Sequence, residues 1–415
     1  MSEQRRSATR RPAGIARHGR LSTPSPWLAA LKFVGISVVV IAVSAASVIG
    51  INVVSSYTNV DTVVIPTDEG DGPPPSIAEL PGGFDVLLVG NDTGVGQGEF
   101  LGNARGSAAL NDVNILLHVS ADHTNAVAVS FPRDLVVPIP SCTDPATGKT
   151  RSAMAAQPIN VALSHGGLGC VAKTIENFTG VTVDYASMIT FTGVIEMSNA
   201  VGGVPVCFNE DIKDPFTLFQ RTAGVHNLSG WDALMFLRSR HGVGDGSDLT
   251  RISSQQVYMS SLVRTLKSSD TLGDPVKVYN LARAALANMT MSEGLKNVDT
   301  MAQMALALKD IPLENVVFTQ YPGSTSNPPG TPYAGKVKPN TAIGNKLFAK
   351  ILADEQFALP KAGDGVGSVI DPNATAVPVD PSASPDPSAA PPAAIDTIAG
   401  LRGQTAFDQT CTAKL

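Results

Sequence analysis

No two cysteines stand in C-x-x-C spacing, no serine is framed as G-x-S-x-G, and no acidic loop closes on the glutamate of an EF-hand. These absences weigh against a thiolate-held metal, a nucleophile-elbow hydrolase and a calcium loop. Ser164-His165 and Asp184 therefore make a poor hydrolase triad. No internal repeat is present, and charged residues are only 16% of the chain. Cationic charge is scarce beyond Lys32. Up to that point Arg5, Arg6, Arg10, Arg11, Arg17, Arg20 and Lys32 face Glu3 alone, and the remainder holds 23 basic against 35 acidic residues. So acidic a body is a poor partner for nucleic acid, and the segment 1–32 is too short for a DNA-binding domain. What is present is a chain that folds: 43% of residues are hydrophobic, which excludes wholesale disorder.

Phe33 to Val54 runs without a charge. At about 1.5 Å per residue it reaches roughly 33 Å, enough to cross a hydrocarbon core of about 30 Å as a transmembrane helix. The basic flank upstream places 1–32 in the cytoplasm as a tail and everything after Val54 outside, a single-pass type II arrangement in the cell membrane. The alternative is a cleaved signal peptide, for which Val43-Ser44-Ala45 supplies small residues, but the run exceeds the usual core of about 7 to 15. Cys142, Cys170, Cys207 and Cys411 all follow the run, on the oxidising side. Of the three possible pairings, Cys142–Cys170 with Cys207–Cys411 is favoured because the first two flank one polar loop; free or buried thiols are the alternative.

The stretch 55–82 is polar and turn-rich, ending in Pro73-Pro74-Pro75, and reads as an extracellular stalk. A folded body is expected over 83–354, then a disordered Pro/Ala/Ser-rich tether over 355–394, in which 371–392 is densest in proline. The segment 395–415 returns Cys411; pairing with Cys207 would fold it back onto the body. Within the body, Phe84 to Val89, Val113 to Val119 and Ala126 to Ser130 are short β-branched runs, the last two joined by a hairpin loop over 121–125. Cys170 to Phe178 reads as a helix, Ser229-Gly230-Trp231-Asp232 as a capping box opening another, and Asp248 as the cap of a third running to about Lys267. Further helices fall near 275–288, 293–308 and 341–353, with a strand over Asn315 to Gln320. The fold class is α/β or mixed α+β: a central mixed, largely antiparallel sheet sandwiched by helices.

Charged residues punctuate the element ends. Asp92 follows the first strand, Asp112 precedes the second and Arg133 follows the third. If neighbouring strands alternate in direction, two carboxylates and a guanidinium meet at one sheet edge, where Mg²⁺ and a phosphate find ligands. Arg238 and Arg240, taken as extended, point the same way. After a loop containing Gly242, Gly244 and Gly246, residues Asp248, Arg251 and Gln255 form one stripe of the next helix. Surface salt bridges and solvated strand ends are the plain alternative to a site.

The stretches FDVLLVGND (84–92), NDVNILLHVS (111–120), SFPRD (130–134), INVALSHGG (159–167), VGGVPV (201–206), G-x-H-x-LSG-x-x-AL-x-x-LRSR (224–240) and GDGSDLTRISSQQ (244–256) resemble, in order and spacing, the LytR-CpsA-Psr family of envelope phosphotransferases. The resemblance implies transfer of a glycopolymer from a polyprenyl-pyrophosphate carrier to muramic acid of peptidoglycan, with release of polyprenyl phosphate. It implies that Asp92 and Asp112 hold Mg²⁺ (or Mn²⁺), that Arg133, Arg238 and Arg240 clamp the pyrophosphate with Arg251 and Gln255, and that Asp248 belongs to the catalytic set. Asp112 or Asp248 are candidates for a general base. An apolar pocket for the lipid is implied as well. The pattern is broken at Gly94, at Leu110-Asn111 and at Ser254, where the family often has arginine; Arg105 is a possible substitute. A lipid pyrophosphatase using water as acceptor, and a non-catalytic lipid-glycan-binding envelope regulator, are the competing functions.

Overall fold

The computed structural model describes residues 62–63, 83–91, 110–268, 281, 284–296, 298–363, 367–374 and 395–414. Asp92, Gly94, Arg105 and the run from Phe33 to Val54 lie outside these residues. Among the described residues no helix is long and apolar enough to cross a membrane.

The main sheet is built from β1 (Thr62–Val63), β2 (Phe84–Asn91), β3 (Asn111–Val119), β4 (Ala126–Ser130), β5 (Tyr185–Ile189), β10 (Met289–Ser292), β11 (Val316–Gln320) and β13 (Gly403–Thr405). Their spatial order is β1-β10-β5-β2-β3-β4-β11-β13. The β2–β3 and β3–β4 hairpins are antiparallel as expected, His123 turning the second at φ 54°. The sheet is more mixed than the local pattern implies. The β2–β5, β4–β11 and β1–β10 junctions are parallel, made by crossovers that adjacent strands do not reveal.

Helices cover both faces. Alternation along the strands sends Leu87, Leu116 and Val127 to one side, against α1 (Ala162–Thr179) and α6 (Thr341–Leu352). Phe84, Val119 and Ala128 face the other, under α4 (Asp248–Lys267) and α5 (Val298–Asp310). On that second face Leu88, Ile115, Leu117, Met259, Val263 and Met289 remain half-buried.

A second, four-stranded sheet holds β6 (Val204–Phe208), β9 (Gly224–Leu228), β12 (Ser368–Ile370) and β14 (Thr410–Thr412), in the order β9-β6-β14-β12. It packs with α2 (Phe191–Val201) and α3 (Gly230–Arg238), and a short hairpin of β7 (Ile212–Asp214) and β8 (Phe219–Arg221) adjoins it. Helix α4 lies between the two cores, so Ser253, Ser254, Gln255, Gln256, Ser260 and Ser261 are buried on it. Their polar atoms need partners inside; Ser260 Oγ, for example, accepts from Gln404 at 2.6 Å.

Several boundaries are corrected. The helix expected from Cys170 begins at Ala162, kinked where Gly167 adopts φ 72°. A Cβ on Gly166 would stand 2.6 Å from that of Cys142, so the glycine admits the Cys142–Cys170 disulfide beneath the helix. Ser247, not Asp248, caps α4, accepting from Thr250 N. Ser229 precedes α3 but makes no side-chain cap, and Asp232 pairs with Arg221 instead. The body does not end at 354. Phe357–Ala358 pairs with Asp396–Thr397, β12 enters the second sheet, and β13 closes an edge of the main one. Cys411 is bonded to Cys207 as expected, which joins 395–414 to the body. Thr62–Val63, counted with the stalk, pairs with β10.

Candidate active site

Three element ends converge at the edge of the main sheet. Asn111 fixes the first. Buried completely, it donates to Asn114 Oδ1 at 2.6 Å and Ile159 O at 3.1 Å and accepts from Leu163 N at 3.1 Å, stapling the start of β3 to α1. Asp112 follows it. Arg133 arrives from the turn after β4, which Pro132 closes by accepting from Leu135 N at 2.9 Å. Its Nη1 donates to Asp112 Oδ1 at 2.9 Å. Asp248, the first residue of α4, sits at the positive end of the helix dipole. Its Oδ2 accepts from Arg133 N at 3.1 Å, and its Oδ1 is 2.6 Å from Arg251 Nη2 and 3.8 Å from Arg133 Nε. Arg251 Nη2 also donates to Asp112 O at 2.8 Å.

Arg240 completes the cluster from the loop between α3 and α4. Burial, then the charges of Arg133 and Arg251, lower its pKa, while Asp248 and Asp112 oppose them. Burial is the largest single effect on Arg133 and works against its charge, but Asp112, Asp248 and Asp134 together outweigh it, and its pKa rises. Three guanidinium groups thus face Asp112, Asp248 and Asp134, and with Lys336 paired to Asp134 the cluster keeps one positive charge in excess. The buried Nε atoms of Arg133 and Arg251 and the buried Oδ1 of Asp248 make no hydrogen bond; Asp134 Oδ2, at 3.5 Å from Arg133 Nε, and Asp248 Oδ1 offer only ionic contacts. A buried donor left unpaired costs about 1–3 kcal/mol, more when charged, so two of them aimed into one cluster suit an anion that supplies the acceptors.

Of the predicted residues, Asp112, Arg133, Arg240, Asp248 and Arg251 therefore come together. Gln255 is adjacent but acts on the backbone: its Nε2 donates to Leu237 O at 2.9 Å, holding the end of α3 against α4. Arg238 is still helical rather than extended, and its guanidinium lies over the Phe191 ring of α2, 4.6 Å from the centroid. Ser254, where the family often has arginine, is buried and bonds back to Thr250 O at 3.3 Å. Ser164 gives its hydroxyl to Val161 O and Asp184 accepts from Asp85 N, so no hydrolase triad forms.

Two supports were not foreseen. Asp214, nearly fully buried, accepts from Arg240 N at 2.8 Å and His241 N at 3.0 Å. Burial opposes its charge, yet the backbone donors from Phe216, Arg240, Thr217 and His241 hold its pKa below the usual range. The Asp-Pro step at 214–215, a turn initiator, was its only sequence signal. Lys336 Nζ lies 2.6 Å from Asp134 Oδ1, neutralising the carboxylate beside Arg133.

For a divalent ion, the one described grouping of three ligating side chains is Cys207, Asp371 and Cys411, and both sulfurs are spent in the disulfide. At the arginine cluster, Asp112 Oδ1 accepts from Arg133, and among the described residues its Oδ2 makes no hydrogen bond and can serve as a ligand atom. That suits Mg²⁺, which takes one or two carboxylates and draws its other ligands from phosphates and water.

At the other end of the sheet His118 bridges Asp85, 3.1 Å from Nδ1, and Asp354, 3.0 Å from Nε2. Burial disfavours its charge, but the two carboxylates prevail and raise its pKa. Burial pushes neighbouring Asp184 up to about 6. A cavity of about 270 Å³ also lies towards that end, lined by Val127, Asn315, Val317, Phe357 and Lys361, away from the arginines.

The chain is 31% identical over 264 residues to the cell wall biosynthesis protein LcpA of Corynebacterium glutamicum, covering 58% of this chain and 50% of that protein. It is 27% identical over 234 residues to the polyisoprenyl-teichoic acid–peptidoglycan teichoic acid transferase TagT of Bacillus subtilis, covering 52% and 66%. The chain spans about half the length of the Corynebacterium relatives it matches. A LytR-Csp2A-Psr enzyme from Actinomyces oris shares the fold, with a TM-score of 0.51 at 19% identity over 70% of this chain and 95% of that one. The LytR_cpsA_psr family model matches residues 58–347, and the chain belongs to that family.

Proposed function

We propose that the protein transfers a glycopolymer from a polyprenyl-pyrophosphate carrier to muramic acid in peptidoglycan. The observation that carries this reading is the pair of Nε groups on Arg133 and Arg251 that make no hydrogen bond, within a cluster holding excess positive charge. Phosphoryl transfer depends on positioning and on stabilising charge at phosphate oxygens, and arginine forks remain protonated throughout. In an acidic body, a diphosphate finds a concentrated cationic field here. The teichoic acid transferase named above supports the same reaction class, and the cell wall biosynthesis relative supports a role in the cell wall.

In this reaction a hydroxyl oxygen of the acceptor attacks the phosphorus bonded to the sugar. The new O–P bond forms as the bridging P–O bond to the second phosphate breaks. Polyprenyl phosphate leaves with the electron pair, and the hydroxyl proton passes to water. Arg133, Arg240 and Arg251 grip the phosphate oxygens, while Asp248, bonded to Arg133 N through Oδ2 and ion-paired to Arg251 through Oδ1, fixes both arginines in place. Arg238 and Gln255 hold the loop that presents Arg240. Asp112 Oδ2 would hold Mg²⁺, with Asp92 as its expected companion. When bound, the ion neutralises phosphate charge and eases departure of the lipid phosphate.

The half-buried apolar strip Leu88, Ile115, Leu117, Met259 and Val263 suits the isoprenoid chain. Anchoring by Phe33 to Val54, with the body outside the cell membrane, suits a substrate confined to lipid. The test combines the full chain, Mg²⁺, a short polyprenyl-pyrophosphate sugar and a peptidoglycan fragment, with products read by mass spectrometry. A glycosyl phosphodiester on the fragment supports transfer. Sugar phosphate released to water indicates a pyrophosphatase, and binding without turnover indicates a regulator.

A further inference from the structure

The turn between β7 and β8 leaves two large apolar side chains in water. Phe216 is 75% exposed and Leu218 78%. Side chains of this size outside a core mark contact surfaces when they sit beside a site.

This turn is locked to the segment that carries Arg240. Asp214 Oδ1 accepts from Phe216 N at 2.8 Å and Thr217 N at 3.3 Å, while Oδ2 accepts from Arg240 N and His241 N. Thr217 Oγ1 and Ser239 Oγ share a hydrogen bond of 2.7 Å. Close approach is required as well: a Cβ on Gly242 would meet the Lys213 carbonyl carbon at 2.9 Å. The Phe216 ring rests against the His241 imidazole, centroids 4.2 Å apart. One carboxylate thus ties an exposed aromatic pair to the backbone of a phosphate-gripping arginine.

We infer that Phe216 and His241 form a shelf that binds the sugar joined to the pyrophosphate. A pyranose offers an apolar C–H face to the phenyl ring and hydroxyls to the imidazole nitrogens. His241 directly follows Arg240, so a sugar bonded to a phosphate held by Arg240 would sit beside this shelf. The inference rests on the transfer reading above and adds to it a group that recognises the glycan. A membrane-dipping role for the same turn has no electrostatic support. Glu210 and Asp211 are exposed at the base of the hairpin beside Lys213, and Arg221 is paired with Asp232, so no cationic surplus faces an anionic bilayer.

The test measures binding of the detergent-solubilised full chain to geranylgeranyl pyrophosphate and to the same lipid pyrophosphate bearing one N-acetylhexosamine. Phe216→Ala should weaken the sugar-bearing ligand about tenfold, leave the sugar-free one within about twofold, and be rescued by Phe216→Trp. Phe216 contributes no core packing, so the variant's melting temperature should match the wild type. Equal loss on both ligands, or no loss on either, overturns the shelf. Reduced co-sedimentation of Phe216→Ala with phosphatidylglycerol vesicles overturns it in favour of a membrane contact. Failure of the wild type to bind the sugar-free pyrophosphate overturns the arginine clamp itself, a result distinct from failure of the shelf.

Discussion

Replacing Asp248 with asparagine removes one charge from between two guanidinium groups without changing side-chain size. The side chain is 5% exposed, with Oδ1 2.6 Å from Arg251 Nη2 and Oδ2 accepting from Arg133 N at 3.1 Å. Asparagine retains one carbonyl oxygen for the backbone donor, so the loss is chiefly electrostatic. Stripping one partner from a buried ion pair costs about 3–5 kcal/mol. At about 2–4 °C per kcal/mol in bodies of this size, the melting temperature should fall by roughly 6 to 20 °C. The variant also carries a larger cationic excess, so an anion should recover more stability in it than in the wild type. Inorganic pyrophosphate at about 100 times its Kd contributes about 2.7 kcal/mol to whichever form binds it. Thermal unfolding of both proteins, with and without pyrophosphate, is the assay. An unchanged melting temperature, or a loss that pyrophosphate does not relieve, would refute the reasoning.

Other outcomes follow from the same geometry. Arg240→Ala should lower turnover at least about tenfold, or about 1.4 kcal/mol of barrier, in the mass-spectrometric transfer assay; an unchanged rate removes Arg240 from the clamp. Asp184, raised to about 6 in the folded protein, binds its proton more tightly there than in the unfolded chain. Its stabilising contribution is therefore full below the unfolded value of 3.8 and lost as pH rises through about 6. Melting curves across that window should slope downward with pH in the wild type and flatten in Asp184→Asn; identical slopes would show that Asp184 is not responsible. Cys411→Ser opens a loop closed across a sequence separation of 204 and should cost about 2–5 kcal/mol. Because Gly244 N donates to Ala413 O at 2.9 Å, the variant should slow transfer too, and unreduced peptide maps of the wild type should recover Cys207 joined to Cys411.

Much of the site was legible because its residues occupy element ends. Asp112 and Arg133 stand at strand ends, and Arg240, Asp248 and Arg251 around two helix ends, so the sequence showed two clusters; that they form one site was implied by the family resemblance alone. Asp214 was not legible, because it acts on backbone N–H groups 26 and 27 positions away. The Lys336 pair with Asp134 spans 202 positions. Arg238 was misread because an extended spacing was assumed where the last helical turn still holds. Hairpins such as β3–β4 announce themselves locally, whereas the parallel β2–β5 and β4–β11 junctions depend on distant chain. The same limit hid the end of the folded body: proline-rich composition suggested a tether from 355, yet Phe357–Ala358 and β12 are held by partners elsewhere in the chain.

The most direct test is a crystal structure of the full chain with a non-hydrolysable polyprenyl-pyrophosphate analogue. Phosphate oxygens should lie about 3 Å from both Arg133 Nε and Arg251 Nε, with the lipid chain along Leu88, Ile115 and Met259. A diphosphate bound elsewhere, for instance in the cavity beside Lys361, with those two Nε groups still lacking a hydrogen bond, would contradict the account.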